Sequence, residues 1–465
     1  MTTARPTVCV IGGGISGLVV THSLLGHEPA PRVVVYEASD RLGGAIRTDV
    51  VDGVTVEAGA DSFLTRAPDA VELCASLGLE PALIAPAVFG ANVLRRGAAR
   101  PLVEMAPDFV FGMPATTRGT LRASHLTKAA RLRAALEPWL PGPRTTGDVA
   151  VGELVRRRYG KQLLAQSVDP LLAGTRAGRA DEMSFEAALP QVWALVRGRR
   201  SLTHALARAR KSNAIPPGPP PFKSVEGGLE RVVAALRERC ERAEILTGVR
   251  VESVEPGARR MTIRTRDGST ECDAVVAATP AFEAARLLER VNPRASELLQ
   301  SIEFASVATI TCVYPPAAHR ALPGSGLLVP SSAGSAMSAC TWYSIKWPHA
   351  APPDGGLVIR SFVGRAGEDA ALRLPDDELI ALVARETQDA LGLKAKPRAT
   401  RLTRWPKSLP QYRVGHVGLV ERIESALEDT PGIWVTGASY RGSGIPDCIK
   451  HARATAARVA GWLGP

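Results

Sequence analysis

Six residues near the N-terminus, Gly12-Gly13-Gly14-Ile15-Ser16-Gly17, constrain the fold more than any other stretch. They follow the apolar run Val8-Cys9-Val10-Ile11 and open an apolar-periodic stretch from Ile15 to Leu25, so strand, tight turn and helix are expected in succession. In a G-x-G-x-x-G turn the first glycine permits the bend, the second lets the backbone approach a pyrophosphate, and the third lets helix pack on strand. The free N–H groups at the helix start then face phosphate. A second strand, Arg32 to Tyr36, ends at Glu37, 20 residues past Gly17. A carboxylate there accepts hydrogen bonds from ribose hydroxyls and disfavours a 2′-phosphate. Together these residues read as a dinucleotide-binding βαβ unit of an α/β protein.

Composition narrows the class further. At 465 residues two or three domains are expected. An uncharged stretch near the middle of the first half, Pro81 to Leu94, holds Pro86, Gly90 and Asn92 and is too short and broken for a bilayer, which needs about 20 apolar residues. The N-terminal residues lack the order of a secretory signal, which points to the cytoplasm. Cys9, Cys74, Cys240, Cys272, Cys312, Cys340 and Cys448 are scattered, odd in number and without a CxxC pair, so neither a disulfide framework nor a zinc ribbon is expected. The eight histidines are dispersed, and no metal site or nucleophile motif is found. A net charge of +11 favours anionic partners, whether a carboxylate-bearing molecule or a phospholipid surface. From Ala187 to Val225 there are seven Lys or Arg and no acid, which reads as a solvated basic face or a peripheral membrane contact. Nucleic acid is disfavoured, because interleaved aromatics and binding signatures are missing.

Along the chain, helices are expected around Ala67–Leu77, Arg122–Leu136, Val149–Tyr159 and Phe185–Arg210. The stretch Ala214–Phe222 has five prolines and reads as an extended loop. Strands are then expected at Gly248–Val254, Met261–Thr265, Ala274–Ala278, Val307–Tyr314, Gly326–Val329, Ser338–Tyr343 and Gly356–Val363. Near the C-terminus, Ile433-Trp434-Val435-Thr436 leads into a loop of glycines and small residues. Pro446 and Asp447 there fit the first turn of a helix.

Beyond Glu37 stands Ala38-Ser39-Asp40-Arg41-Leu42-Gly43-Gly44-Ala45-Ile46-Arg47-Thr48, and this E-x₃-R-x-G-G-x-x-x-T pattern resembles the FAD signature of the flavin amine oxidase group. Three further passages, Glu57–Arg66, Arg404–His416 and Gly437–Ile449, resemble the porphyrinogen oxidases. The last is most similar to the Gram-positive bacterial branch that oxidises coproporphyrinogen III to coproporphyrin III. The resemblance implies a Rossmann-like FAD domain, discontinuous in sequence (1–80, 223–285 and 411–465), with a helical substrate- or membrane-facing subdomain at 81–222 and an inserted α+β, mixed-sheet substrate domain at 286–410. It also implies that Arg41, Gly43 and Gly44 line the diphosphate and that Ala38 is among the cofactor-binding residues. Arg47, Gly59, Ala60, Asp61, Ser62, Trp405, Gly437, Ala438, Ile445, Pro446 and Asp447 would lie by the ribityl chain and ring system, with Val249 against the adenine.

The resemblance further implies hydride transfer from a porphyrinogen bridge carbon to flavin N5, in three rounds, with O₂ reoxidising the flavin to give H₂O₂. No side chain is assigned as a catalytic base. Arg176 and Arg179 stand where the family often has Tyr and Asp, and either serve the substrate's propionates or sit on a solvated turn. Arg66 is the cation near the segment 59–62, because Ala67 occupies a position that is sometimes basic. Ferrochelatase and the haem-forming decarboxylase are partners expected by pathway analogy. Alternatives are a protoporphyrinogen IX oxidase, a carotenoid-type desaturase or other flavin amine oxidase relative, and a non-catalytic escort protein, against which Glu37, Arg41 and the glycines argue.

Overall fold

The structure is a computed structural model that describes residues 5–95, 101–106, 108–142, 147–212, 222–257, 260–318 and 321–464. Its organising element is a five-stranded parallel sheet in the order Glu244–Thr247, Arg32–Glu37, Thr7–Ile11, Ala274–Ala277, Ile433–Val435. Strand residues alternate between two cores, as the two-residue period of a strand requires. Val8, Val10, Val33, Val35, Val276 and Trp434 pack beneath the helices Ile15–Leu25, Glu230–Arg239 and Ile445–Leu463. Cys9, Ile11, Val34, Val275 and Val435 face the other way, towards the helices Ala281–Leu288, Pro293–Gln300 and His416–Glu428. Strands covered on both faces read as unbroken apolar runs, which is why Val8–Ile11 is legible in the sequence.

A second sheet has seven strands in the order Ala399–Pro410, Phe304–Tyr314, Leu357–Val363, Met337–Trp342, Gly326–Leu328, Ala91–Leu94, Leu102–Glu104. Its last two strands come from the stretch 81–222, expected as helical. Ala91–Leu94 pairs in parallel with Gly326–Leu328, and the Asn92 side-chain amide donates to the carbonyls of Pro323 and Gly326 at 2.7 and 3.0 Å. The remainder of that stretch is mainly helical, around a core that includes Val155, Phe185, Val192 and Leu206.

Several expected elements are broken for local reasons. The helix expected over Phe185–Arg210 is three pieces, Phe185–Ala188, Pro190–Val196 and Leu202–Lys211, with Pro190 opening the second and Gly198 at φ +69° preceding the third. Arg122–Leu136 becomes Thr117–Arg122 and Lys128–Ala135, capped by the hydroxyls of Thr116 and Thr127. The strand expected at Gly248–Val254 starts only at Val251 and, as Val251–Pro256, joins a separate antiparallel sheet, while Glu244–Thr247, outside the expected range, joins the parallel one; Gly248, φ +72°, turns the chain between them. Apart from Phe222, the proline-rich loop lies outside the described residues. All seven cysteines are buried and free.

The helical unit is pinned by a buried ion pair. Arg158 and Glu137 approach to 2.6 Å with both side chains almost wholly out of water. The Glu137 carboxylate also accepts from Ser201 Oγ at 2.7 Å, Leu202 N at 2.9 Å and Thr203 N at 3.2 Å. Burial pushes its pKa up, but these bonds and Arg158 outweigh burial and leave it below the usual carboxylate range. Removing one partner of such a pair strands a buried charge, which costs about 3–5 kcal/mol. Arg158→Met is therefore expected to lower the unfolding free energy extrapolated from urea titration by an amount in that range, and an unchanged midpoint would show that the pair is dispensable.

Candidate active site

At the carboxyl ends of the parallel strands, which is where open α/β sheets bind ligands, Thr7–Ile11, Glu244–Thr247 and Ile433–Val435 each run into a glycine within two residues. Gly12 takes φ +108°, and its N–H donates to the Tyr36 carbonyl at 2.8 Å. A Cβ on Gly17 would sit 1.9 Å from the Gly12 carbonyl oxygen, so helix and turn approach as closely as backbone allows. Gly43 N–H donates to the Gly13 carbonyl at 2.9 Å, and Gly14 pairs with Gly43 in an isolated parallel bridge. The two glycine loops therefore lie against each other.

Glu37 closes this cradle from the second strand. Its Oε2 accepts from Gly13 N at 2.7 Å, and its Oε1 accepts from Ser39 N and Oγ at 2.8 and 2.7 Å. The carboxylate thus braces the turn while keeping lone pairs for hydroxyl donors. Val249 N–H donates to the Glu37 carbonyl at 3.0 Å, which brings the residue expected at the adenine beside the one expected at the ribose. Ala38 is exposed at the mouth. Arg41 turns inwards: its guanidinium donates to the carbonyls of Leu42 and Ile46 at 2.9 and 3.1 Å and to that of Gly44, so it shapes the loop. Arg47 lies further out, paired with Asp49 at 3.0 Å.

The C-terminal helix Ile445–Leu463 joins the same cradle. Gly444 and Gly14 are the N-caps of the last and first helices, and neither helix has a side-chain cap. Ile15 and Ile445 both pack against the core under the sheet, and Pro446 occupies the first turn. Ser16 Oγ lies 3.9 Å from where a Gly437 side chain would begin, and the Cys448 thiol donates to the Gly442 carbonyl at 3.8 Å. Two helix N-termini with free N–H groups are thus side by side, a receptive site for anionic or electron-rich oxygens. Tyr412 holds the loop above them: its hydroxyl donates to the Ala438 carbonyl at 2.6 Å and accepts from Gly442 N at 3.1 Å. The Tyr412 ring stacks on His416 at 4.0 Å, and His416 Nε2 donates to the Tyr440 carbonyl at 2.9 Å. Burial pushes the Tyr412 hydroxyl pKa up and pulls that of His416 down, so both stay neutral at pH 7.

The segment 59–62 forms the wall towards the seven-stranded sheet. A Cβ on Gly59 would lie 1.8 Å from the Ala45 carbonyl, which locks the segment onto the glycine loop. The Ala58 carbonyl accepts from Thr309 Oγ1 at 2.8 Å, Trp405 Nε1 at 3.1 Å and Arg360 Nη2 at 3.1 Å. Arg360 also reaches the Gly59 carbonyl and lies over the Phe362 ring at 4.8 Å. Ala60 packs against the core, and Ser62 Oγ donates to Asp61 Oδ1 at 2.7 Å. Lys346 Nζ pairs with Asp61 Oδ2 at 2.8 Å. Burial pushes the Asp61 pKa up, but Lys346, then Arg360, and the Ser62 hydroxyl outweigh it and hold the carboxyl well below its usual range. At the end of the strand Val54–Glu57, burial raises Glu57 to about 7 although Leu229 N and Thr48 Oγ1 donate to it.

Of the expected substrate-side cations, Arg176 joins the site and Arg179 does not. Arg176 Nη1 donates to Ser443 Oγ at 3.1 Å, inside the C-terminal loop. Burial lowers its pKa, while Tyr412 and Asp447 favour its charge. Burial likewise raises Asp447, with Arg176 opposing. Arg179 is exposed on a turn, 3.8 Å from Glu182. Arg66 is half-buried, and its Nε is buried without a partner. Arg360, Lys346, Tyr412 and His416 were not singled out from the sequence. The available signal was a lone arginine inside the apolar strand Leu357–Val363, where a charge has to be functional or structurally paired.

Two observations fit a bound group at this place. A side chain at Gly14 would meet nothing nearer than the Gly44 Cα at 3.9 Å, so space opens directly above the first helix. Thr279 and Thr436, at the ends of the two adjoining strands, carry buried hydroxyls without a protein partner. A parallel dinucleotide-binding sheet, walled by a second sheet and closed by the C-terminal helix, defines a flavoprotein of the oxidoreductase class.

Comparison with known proteins agrees: the model of the family described as flavin containing amine oxidoreductase matches residues 15–460, and the chain belongs to that family. The coproporphyrinogen III oxidase of Bacillus subtilis (strain 168) is 30% identical over 474 residues, spanning 100% of both chains. That of Mycobacterium bovis is 34% identical, covering 96% of this chain and 95% of its own. A solved structure from Exiguobacterium sp. 255-15, assigned as a protoporphyrinogen oxidase, superposes with a TM-score of 0.88 at 29% identity, over 98% of each chain. The flavin cradle is directly testable. Relieving the overlap that Gly17→Ala creates should cost about 3 kcal/mol or more, roughly a hundredfold in flavin affinity. The purified variant should be colourless in the visible range. A variant as yellow as the parent protein would show that the cradle is not where flavin binds.

Proposed function

We propose that the protein is an FAD-dependent enzyme that oxidises coproporphyrinogen III to coproporphyrin III with O₂ as acceptor, within haem biosynthesis. Full-length likeness to coproporphyrinogen III oxidases carries this conclusion. FAD is favoured over a mononucleotide because the cradle of Gly12–Gly17, Glu37, Arg41, Gly43 and Gly44 continues past the ring site to a ribose-binding carboxylate and to Val249. When bound, the flavin supplies the two-electron acceptor.

The chain's own residues supply orientation and charge. Backbone N–H groups at Ile15 and Ser16 receive the diphosphate, and those at Ile445 to Asp447 face the ring's oxygen-bearing edge. Gly59, Ala60, Asp61, Ser62, Trp405 and the Gly437-Ala438 pair form the remaining walls, with Arg360 and Lys346 keeping Asp61 ionised. Arg47, paired with Asp49, and Arg66 are further cations of the flavin-side and substrate-side walls. Arg176 offers a guanidinium at the substrate side to a propionate, where a charge-assisted bond is strong. Arg179, exposed beside Glu182, is left out of the substrate contacts. The product would pass to ferrochelatase and then to the haem-forming decarboxylase, and the reaction is placed in the cytoplasm. Among the described residues no helix is long and apolar enough to cross a membrane.

A second candidate substrate is protoporphyrinogen IX, favoured by the assignment of the Exiguobacterium structure. Coproporphyrinogen bears four propionates and protoporphyrinogen two, so a site supplied with Arg66 and Arg176 favours the former. With both porphyrinogens offered in air, fluorescent coproporphyrin should appear with the higher kcat/KM. Arg176→Ala should raise KM by about tenfold, the loss of one charge-assisted bond worth ~1.5 kcal/mol, with flavin content unchanged. Absence of coproporphyrin formation, or a clear preference for protoporphyrinogen, would overturn the assignment.

A further inference from the structure

Arg176 is the last residue of the helix Asp169–Arg176, and the chain reverses immediately after it. Ala177 takes φ +49°, a region that residues with a Cβ rarely occupy and that persists only where neighbours fix it. The reversal carries the Ala180 N–H back to Asp169 Oδ1 at 3.0 Å, so one side chain ties the helix start to the turn beyond its end. Two further bonds hold the tip. Ala366 N–H donates to the Ala177 carbonyl at 2.8 Å, and Gln411 Nε2 donates to the Arg176 carbonyl at 3.2 Å. From this fixed backbone Arg176 reaches Ser443 Oγ at 3.1 Å.

Arg365 ties the arrangement to the seven-stranded sheet. It follows the strand Leu357–Val363 and Gly364, and only 6% of its side chain meets water. Its Nη1 donates to Asp169 Oδ2 at 3.1 Å, the oxygen that Ala180 leaves free, while Nη2 donates to Glu368 Oε1 at 2.6 Å and to Ser331 Oγ. Burial pulls the Arg365 pKa down, but Glu368 and then Asp169 outweigh it and leave it above the usual value. Arg179 borders the same loop, its Nη1 3.3 Å from where a Cβ on Gly367 would stand. The hydrogen bond from Arg365, against burial and with Arg179 in support, holds Glu368 below the usual carboxylate range. The groove that Arg365 lines with Ser331, Ser335 and Arg373 contains none of the cradle or wall residues. Seven residue steps separate Asp169 from Arg176, about 10 Å of helix.

We propose that Arg365 is a positioning residue for substrate binding: through Asp169, and through the adjoining bond from Ala366 to Ala177, it fixes the bend that aims Arg176 into the site. The inference rests on the reading of Arg176 as a propionate ligand. A guanidinium on a long stem binds a carboxylate well when its freedom has been removed beforehand. Without Arg365, Asp169 loses its cation and the strained turn at Ala177 loses a support, so Arg176 is released from Ser443. The effect falls on KM rather than on turnover, because the flavin contacts are untouched.

Steady-state kinetics of the flavin-loaded enzyme with coproporphyrinogen III test this with Arg365→Met and with the milder Asp169→Asn, whose remaining carbonyl oxygen still accepts from Ala180. Each should raise KM about threefold to tenfold, with kcat changed by less than about twofold. In an Arg176→Ala background the same substitutions should raise KM by less than about twofold, because their effect passes through that side chain. Arg158→Met, which breaks a buried pair elsewhere in the helical unit, should lower stability and leave KM unchanged. In crystals of Asp169→Asn the Arg176 guanidinium should no longer rest on Ser443. The proposal is overturned by Arg176 still on Ser443 in those crystals, by an unchanged KM in both variants, or by equal KM increases with and without Arg176. An unchanged KM in Arg176→Ala alone instead overturns the reading of Arg176 as a ligand, and the crystals then judge the positioning by themselves.

Discussion

The contact between Gly17 and the carbonyl of Gly12 governs the rest of the site. Because no side chain intervenes there, the first helix starts directly over the end of the first strand, with its N–H groups unclaimed. Gly43 and Gly44 then settle on Gly13 and Gly14, and the carbonyl of Ala45 seats Gly59. The segment 58–62 is in turn the surface on which Thr309, Arg360 and Trp405 of the second sheet converge. A single close backbone approach is transmitted, contact by contact, from the dinucleotide end of the cradle to the wall against which a substrate would lie.

Electrostatics divide the two ends. At the cradle the favourable charges are backbone dipoles, from two uncapped helices whose sequences stand at opposite ends of the chain. At the wall they are side chains: Lys346 and Arg360 stabilise ionised Asp61, while burial raises neighbouring Glu57 to about 7. Two carboxyls close in sequence thus hold different protonation preferences: Lys346 and Arg360 outweigh burial at Asp61, whereas at Glu57 burial, aided by Asp61, outweighs the Leu229 and Thr48 donors and Arg360. Between the two ends, Tyr412 ties the C-terminal loop down through Ala438 and Gly442, and Arg176 reaches Ser443 from the helical unit.

Much of this was legible in the residues. The buried strand Val8–Ile11, the glycine turn, Glu37 and the helix start at Pro446 follow from local rules of period, backbone freedom and capping, and the structure has elements at all four places. What escaped was non-local. Arg360 carries no motif; only the fold reveals that it is buried over Phe362 with the carbonyls of Ala58 and Gly59 as partners. The strand Ala91–Leu94 is short and flanked by glycine and proline signals, and it exists because Gly326–Leu328 offers it a parallel edge. The expected helix over Phe185–Arg210 overlooked Pro190 and Gly198, although both breakers are visible in the sequence. Arg176 and Arg179, equivalent in the sequence, separate only when helix Asp169–Arg176 ends at Ala177 in a left-handed conformation, φ +49°, leaving one guanidinium inside and the other outside.

The central claim is that both ends of the chain build one flavin site, with the first helix receiving the diphosphate and the last receiving the ring. A crystal structure of the flavin-loaded protein tests it most directly. The account predicts diphosphate oxygens within hydrogen-bond distance of the N–H groups of Ile15 and Ser16, and the ring's pyrimidine edge against the helix start at Ile445 to Asp447. A flavin bound elsewhere, or one whose ring leaves the last helix open to solvent, would contradict it.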